Sequence, residues 1–394
     1  MDDTVIDEAL TRIGTPFYLF DLDQAAATVR TMRMLMPAGT DLCYAIKANP
    51  FLAAPLSMSV DRLEACSPGE FSICRRAGIP MDKVVMSGVY KSGQDIIDAL
   101  TAHPDLLACT VESMSQWQAI ADCAGRLGRP VRVLLRLTSG NQFGLTAEEV
   151  GRIIGQRRSE GRQIILQGIQ YFSGTQKHDP KVSGDELAML DGLLDGWRRE
   201  YGYDAPLLEY GPGLPVDYFG RDPDVTRRCA AALASGLNRM NFKGRVCLEM
   251  GRVLAADCGY YATTIVDTKQ RPDGHYAICD GGIHQLNYYG QMMAMHTPPV
   301  RHWDQDDGPE TDWNLFGALC SVNDVLLRGQ PFRGLRVGSR LIFAKAGAYS
   351  VTEGIALFLS RDLPAVATYA EGHGLRLVRG HQPTDPFNSG TEID

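Results

Sequence analysis

Lys47 stands where an apolar run of the sequence ends. The run 43–46 (CYAI) leads into this lysine, and Ala-Asn-Pro follows it, with Asn-Pro favouring a turn. A lysine at the tip of a buried strand is either a surface cation or an amine suited to Schiff-base chemistry. Taken alone, Lys47 fits a surface cation better than a Schiff-base amine. Residues elsewhere in the chain are needed to distinguish the two roles.

Other polar residues also stand at the ends of apolar runs. Glu64, Arg136, Glu249 and Arg252 are four of them, and the turn Gly211-Pro212-Gly213 follows a further run. Each has an ordinary structural interpretation by itself, as a salt-bridge partner or a plain turn. Together they fit a phosphate: glycine turns let backbone N–H groups approach it, and arginine offers a planar fork. A phosphate anchor, a Schiff-base lysine and an acid for a ring nitrogen describe pyridoxal phosphate (PLP) chemistry.

The apolar runs alternate with helix-like segments, which predicts a parallel sheet with helical crossovers. Eight runs are counted, the number that closes a TIM barrel, whose active site lies at the C-terminal strand ends. An open doubly wound sheet is the alternative. The predicted strands are 41–46, 61–66, 83–87, 107–111, 131–137, 165–172, 205–210 and 245–249. The predicted helices are 22–36, 69–77, 92–102, 113–127, 146–160, 183–201 and 222–239.

After about residue 255 the strand-like runs come without long helices between them. They lie at 259–267, 275–280, 339–344, 355–359 and 375–379. This pattern predicts a mostly β domain, joined by a strand at 15–21. We therefore expect a barrel over 22–255 and a β domain made of 1–21 and 256–394.

Composition excludes several classes of function. A formal net charge of −8 disfavours general nucleic-acid binding, and no long basic run marks a membrane surface. The acidic N-terminus is unlike a secretory signal, and no apolar segment is long enough to span a bilayer. The ten cysteines are scattered without a C-x-x-C pair, which favours free thiols over a disulfide framework or a cysteine metal site. We expect a cytoplasmic protein without a metal.

Nine short motifs occur in one order along the chain. They are 44–49 (YAIKAN), 64–70 (EACSPGE), 142–144 (QFG), 168–176 (GIQYFSGTQ), 211–213 (GPG), 249–252 (EMGR), 280–282 (DGG), Cys320 and 347–349 (GAY). On these motifs the chain resembles, from about residue 15 to 380, the fold-type III PLP-dependent decarboxylases, the family of ornithine, arginine and diaminopimelate decarboxylases. That family combines a PLP-binding TIM barrel with a β domain.

The resemblance implies roles for individual residues. Lys47 corresponds to the Schiff-base lysine, Glu249 to the partner of the pyridine nitrogen, and Phe172 to the residue stacked on the ring. Cys320 corresponds to a residue that dimers of the family insert into the neighbouring active site as a proton donor, which implies a homodimer with composite sites. The other cofactor contacts implied are Glu64, Arg136, Thr175, Gly211, Gly213, Gly251, Arg252 and Tyr349.

Departures from the family pattern concern the substrate. Phe172 replaces the ring-stacking histidine, Gln170 the first motif histidine and Met250 a proline. Ser321 replaces the acid that follows the cysteine in diamine-forming members. That acid pairs with a distal ammonium, which Ser321 and Val322 cannot do, so free ornithine, lysine and diaminopimelate are disfavoured.

A smaller branch of the family is similar at Phe172 and the run 173–176 (SGTQ), where it has an aromatic residue followed by T-G-T-Q. It includes the butirosin-pathway decarboxylase of a carrier-protein-bound glutamyl group, and the run Asp280-Gly281-Gly282-Ile283-His284 also matches it. The resemblance thus implies a biosynthetic decarboxylase of an amino acid or amino-acid conjugate, with a carrier-protein-bound group as one such conjugate. His284, Ser321 and Asp324 are the expected substrate contacts.

Three other functions and one structural fallback are compatible with parts of the pattern. An alanine-racemase-type enzyme shares the architecture but uses an arginine on the ring nitrogen, against which Glu249 argues. A diamino-acid decarboxylase is the second alternative. Release of CO₂ would distinguish this enzyme and the decarboxylase of a conjugate from a racemase, which inverts the α-carbon. A PLP homeostasis protein has a single barrel, so residues 255–380 count against it. A carbohydrate-type TIM barrel is the structural fallback, and a colourless purified protein would favour it.

Overall fold

The computed structural model describes residues 1–156, 164–289 and 294–390. The chain divides into two units, which we call the barrel unit and the sheet unit. The barrel unit comprises Thr28–Val216 and Asp224–Leu254, and the sheet unit comprises Met1–Ala27, Asp217–Pro223 and Ala255–Asp394. The boundaries at residues 22 and 255 stay a prediction. None of the described helices combines the length and the apolar character needed to cross a membrane.

The barrel unit is built on eight parallel strands among the described residues. They pair in chain order, and the last pairs with the first, which closes the barrel. The strands are β2 (Asp41–Ala45), β3 (Arg62–Ala65), β4 (Val84–Met86), β5 (Ala108–Val111), β6 (Val131–Leu137), β7 (Ile164–Phe172), β8 (Leu207–Gly211) and β9 (Arg245–Met250). All eight lie within two residues of their predicted bounds, so the TIM barrel is confirmed and the open sheet is wrong.

Helices precede, connect and follow the barrel strands. They are α2 (Leu22–Leu35), α3 (Ala53–Ser57), α4 (Pro68–Arg76), α5 (Gly93–Ala102), α6 (Met114–Leu127), α7 (Ala147–Gln156), α8 (Lys181–Tyr201), α9 (Val225–Arg239) and α10 (Arg252–Ala255). Local sequence sets several of their starts. Ser67 accepts a hydrogen bond from the Glu70 backbone N–H, and Pro68 lies in the first turn. Residues 157–160 of the predicted helix 146–160 lie outside the described residues.

The sheet unit contains a mixed sheet of nine described strands. They are β1 (Phe17–Asp21), β10 (Gly259–Arg271), β11 (Gly274–Cys279), β12 (Val300–His302), β13 (Glu310–Phe316), β14 (Val325–Arg333), β15 (Arg340–Phe343), β16 (Ala365–Ala370) and β17 (Gly374–Arg379). β1 runs antiparallel to β10 and parallel to β16, which confirms that the N-terminal strand joins this sheet. Its apolar side chains pack with helix α1 (Asp3–Arg12).

One predicted strand of this unit is wrong. Residues 355–359 form turns and the 3₁₀ helix Phe358–Ser360, in which Leu359 and Ser360 have φ of 60° and 50°. Left-handed backbone cannot continue a strand. Four strands were also missed: β12, β13, β14 and β16. β14 contains Gly329 and Pro331, which weaken a strand pattern.

Candidate active site

The segment after β2 fixes the position of Lys47. Residues Ile46–Ala48 form a 3₁₀ turn, and the Tyr44 hydroxyl donates to the carbonyl of Asn49 at 2.9 Å. The Asn49 side chain accepts from the Phe51 N–H at 3.1 Å and caps the next turn. These contacts hold Lys47 at the C-terminal end of the barrel, with its side chain 38% exposed.

Lys47 lies between two buried carboxyl groups. Its Nζ donates to Glu64 Oε2 at 2.9 Å and to Glu249 Oε1 at 3.4 Å, and Cys66 Sγ is 3.6 Å away. Burial alone would raise the pKa of Glu64, but the Lys47 charge and hydrogen bond outweigh it and lower that pKa. The pKa of Glu249 is raised, first by burial and second by the Glu64 charge. Glu64 is therefore the ionised partner of Lys47 at neutral pH.

A third buried carboxyl group belongs to the same layer of the barrel. Gln170 on β7 uses one amide nitrogen to donate to Glu64 Oε1 at 3.2 Å and to Glu209 Oε1 at 2.7 Å. Burial and the Glu64 charge raise the pKa of Glu209 to about 8. The layer thus contains Lys47, three carboxyl groups and one neutral amide.

The glycines after β8 are required by close approaches. A Cβ on Gly213, whose φ is +61°, would lie 2.0 Å from the carbonyl oxygen of Gly174. A Cβ on Gly211 would lie 2.5 Å from Phe172 Cδ2 and 3.1 Å from Glu249 Oε2. The missing side chains let the Phe172 ring pack beside Glu249 and let the loops after β7 and β8 meet.

These two loops are also joined by hydrogen bonds. The Gln176 amide donates to the Val216 carbonyl at 3.0 Å and accepts from the Val216 N–H at 2.6 Å. Nearby, Arg252 Nε donates to Thr175 Oγ1 at 3.4 Å. The structure therefore gathers Thr175, Arg252 and the glycine turn at one end of the barrel.

Gly251 and Arg136 lie at the same end of the strands. A Cβ on Gly251 would lie 2.9 Å from Ala48 Cβ, so the loop after β9 packs on the lysine segment. Arg136 pairs with Glu112 at 2.9 Å and lies 4.9 Å from the Phe143 ring centroid. Their roles as cofactor contacts stay predictions.

The remaining predicted site residues belong to the sheet unit. Cys320 is exposed and Val322 is 85% exposed, and Ser321 stands between them. Tyr349 is half-buried with a φ of +68°, a conformation that costs free energy for a non-glycine residue and is typical of functional sites. His284 is 3% exposed, and burial followed by the Arg361 charge lowers its pKa to about 4.

Asp324 points inward. Its two carboxylate oxygens accept from the backbone N–H groups of Ile283 and Leu319, each at 2.8 Å. Gly282 and Gly317 leave room for it, since a Cβ on either would lie within 2.6 Å of its oxygens. These contacts favour a structural role for Asp324 over its predicted contact with substrate.

Sequence reasoning missed Lys91 as a polar residue of the barrel. It is buried, and its Nζ donates to the Gly88 carbonyl and, at 3.1 Å, to Thr110 Oγ1. Burial lowers its pKa. The signal was available, because Lys91 follows β4 much as Lys47 follows β2. The pairing of Gln170 with Glu209 had no sequence signal, because it depends on the register between β7 and β8.

Comparison with known proteins identifies a family. Residues 17–347 match the family model described as pyridoxal-dependent decarboxylase, C-terminal sheet domain. The chain is 24% identical over 367 residues to the diaminopimelate decarboxylase of Aquifex aeolicus, covering 87% of this chain and 84% of that protein. It is also 24% identical over 393 residues to the L-glutamyl-[BtrI acyl-carrier protein] decarboxylase of Niallia circulans, covering 92% and 91%.

Among solved structures, the fold is similar to diaminopimelate decarboxylase from M. jannaschii in complex with L-lysine. The TM-score is 0.84 with 21% sequence identity, covering 98% of this chain and 94% of the other. At this identity the likeness concerns the fold, and it matches the barrel and sheet units seen here.

Proposed function

This chain belongs to the pyridoxal-dependent decarboxylase family, and on that premise we propose that its substrate is an amino acid or amino-acid conjugate without a distal ammonium group. The enzyme is a PLP-dependent amino-acid decarboxylase, a carboxy-lyase. The substrate, its possible carrier protein and its place in a biosynthetic pathway belong to the proposal.

The residues of the barrel unit fit PLP. Lys47 offers an amine beside two buried carboxyl groups, and Glu249 is the acid for the pyridine nitrogen. Gly213 lets the loops after β7 and β8 approach each other closely, beside Thr175 and Arg252, which offer a hydroxyl and a guanidinium to a phosphate. When bound, PLP supplies an electron sink for the charge left after the α-carboxylate departs.

Each of these side chains has a task in the proposed mechanism. Lys47 would hold the cofactor covalently through its side-chain amine. Glu249 would keep the ring nitrogen protonated, and Phe172 would contact the ring without donating a hydrogen bond. Cys320 of a partner subunit, or Lys47, returns a proton to the α-carbon. His284 and Ser321 are the candidate substrate contacts.

The substrate proposal rests on the contacts of the acidic residue nearest to Cys320 in the sequence. The exposed turn 320–323 contains no carboxylate. The next acid, Asp324, directs both oxygens to backbone N–H groups. A distal ammonium would thus lack the charged partner that normally compensates its desolvation. The glutamyl-carrier relative supports a conjugated substrate.

A second candidate function is diaminopimelate decarboxylation, because the Aquifex aeolicus relative carries that name. A CO₂-release assay with the purified enzyme separates the two. We expect release from glutamyl and similar acyl conjugates, carrier-linked or as small thioesters, and at most slow release from free diaminopimelate, ornithine or lysine. Efficient turnover of a free diamino acid would refute the proposal, and the Lys47→Ala variant is the inactive control.

We also propose a cytoplasmic homodimer with composite active sites. Exposed apolar side chains on the sheet unit, Val322, Ile355 and Phe358 among them, are typical of a surface covered by another chain. Mixing inactive Lys47→Ala dimers with Cys320→Ser dimers tests this directly once Cys320→Ser has been shown to be inactive by itself. Subunit exchange should restore about a quarter of wild-type activity, because half of the dimers then contain one intact site. No recovery despite exchange would argue against a shared site.

A further inference from the structure

The carboxyl groups of the barrel layer cannot all be ionised without compensation. Glu64, Glu209 and Glu249 are buried together, and the salt bridges of Glu64 and Glu249 both run to Lys47. Glu209 makes no salt bridge within the described part of the chain. An ionised carboxylate in such surroundings costs far more free energy than a neutral one. One of the three groups is therefore expected to keep its proton.

The contacts single out Glu209 as that group. Its side chain is 0% exposed, and the one hydrogen bond it accepts within the described ranges comes from the neutral amide of Gln170. Its second oxygen, Oε2, has no hydrogen-bond partner among the residues that the structure describes. Glu64, by contrast, holds the Lys47 ammonium at 2.9 Å.

Gln170 connects Glu209 to Lys47 through hydrogen bonds that include Glu64. Its amide nitrogen bridges Glu209 Oε1 and Glu64 Oε1, while the other oxygen of Glu64 accepts from Lys47. Gln170 and Glu209 are directly opposite each other on β7 and β8, so the bridge is set by strand register. A chain of side chains thus runs from Glu209 through Gln170 and Glu64 to Lys47.

We propose that Glu209 is a positioning residue that acts as a neutral carboxylic acid: through Gln170 it orients Glu64, and Glu64 in turn holds the Lys47 amine for the cofactor. The proposal rests on Lys47 as the cofactor anchor, and it adds a role to residues outside that anchor. A protonated Glu209 supplies the acceptor that Gln170 needs without adding a negative charge beside Glu64 and Glu249. The raised pKa of Glu209 is consistent with this.

The charged and titratable groups that face Glu209 come from three other strands. They are Cys43 on β2, Arg62 and Glu64 on β3, and Cys247 and Glu249 on β9, while the neutral Gln170 faces it from β7. Arg62 is the cation of this set, and it is already paired with Asp41 at 3.1 Å. It therefore leaves Glu209 without an ion pair.

Infrared difference spectroscopy of the cofactor-free enzyme tests the proton. The wild type minus Glu209→Gln spectrum should contain the C=O stretch of a protonated carboxyl group at neutral pH, and this band should fade above about pH 8. Carboxylate bands alone from pH 5 upward would overturn the proposal. The result does not depend on cofactor binding or turnover, so it stands apart from the proposed function.

Thermal melts of the same two proteins give a second readout. In the unfolded chain Glu209 releases its proton above about pH 4.3, whereas in the folded state it keeps the proton up to about pH 8. The folded state therefore loses stability as the pH rises between these two values. Glu209→Gln cannot release this proton, so its Tm relative to wild type should rise from pH 5 to pH 8. A Tm difference that stays constant or falls over this range would contradict a protonated Glu209.

Cofactor affinity tests the positioning role. Glu209→Leu leaves the Gln170 amide without its acceptor and should weaken PLP binding about tenfold, whereas the neutral isostere Glu209→Gln should stay within about twofold of wild type. Equal weakening by both variants would show that a negative charge is needed. Wild-type affinity in Glu209→Leu would show that Glu209 positions nothing.

Discussion

The substitution Gly213→Ala tests how the barrel end holds a phosphate. The new Cβ would lie 2.0 Å from the Gly174 carbonyl oxygen, closer than any non-bonded contact allows, so the loops after β7 and β8 must separate. The backbone φ of +61° adds roughly 1–2 kcal/mol of strain for any L-residue. Both effects fall on the turn that we expect to bind the phosphate.

The expected loss follows from the contacts that the turn would make. A hydrogen bond to a charged group contributes about 1.5–3 kcal/mol. Displacing one or two backbone donors should therefore cost about 3 kcal/mol of cofactor binding, or roughly 100-fold in Kd. Titration of the cofactor-free enzyme with PLP, followed by absorbance, measures this directly.

Gly128→Ala is the matched control. Gly128 has a φ of +60°, and a Cβ there would meet nothing within 4 Å. It ends helix α6 and should lose a similar amount of stability to strain while binding PLP with unchanged Kd. If Gly213→Ala binds PLP as tightly as Gly128→Ala does, the glycine turn does not hold the phosphate.

Three further predictions concern single side chains. Glu249→Gln should lower kcat at least about 100-fold with the cofactor still bound, because an amide cannot keep the ring nitrogen cationic; a near-normal kcat would refute this role. Gln176→Ala should weaken PLP binding and also lower the unfolding midpoint in urea, because it removes both hydrogen bonds to the buried Val216 backbone; unchanged affinity would show that cofactor binding does not need these two bonds. His284 is neutral when folded, with a pKa near 4, and the unfolded chain binds its proton below about pH 6.5. The free energy of unfolding should therefore fall as the pH drops from 6.5 toward 4, and urea denaturation should show a smaller fall for His284→Gln. An equal pH dependence of the free energy of unfolding in both proteins would contradict this prediction.

The barrel was predictable because its strands are buried on both faces and appear as apolar runs. The site followed from it, since parallel strands bring their C-terminal ends together. Lys47 and Glu249 are 202 residues apart in the chain, and their contact at 3.4 Å follows from β2 pairing with β9. Strand order alone was enough to place them at one end.

The sheet unit was harder to predict. Residues 355–359 form an apolar run that mimics a strand pattern, but most of their side chains are exposed and Leu359 has a left-handed backbone. The direction of individual side chains could also not be predicted from the sequence. The inward orientation of Asp324 depends on Gly282 and Gly317, and the Gln170–Glu209 pair depends on cross-strand register.

The central claim is that Lys47 anchors PLP, and borohydride reduction of the cofactor-loaded enzyme followed by peptide mapping tests it most directly. The reduced label should lie on Lys47 and disappear in Lys47→Ala. Lys91 is the sharpest alternative, since it is a buried lysine of the same barrel with a lowered pKa. A label on Lys91, or no label at all, would contradict the assignment of this site.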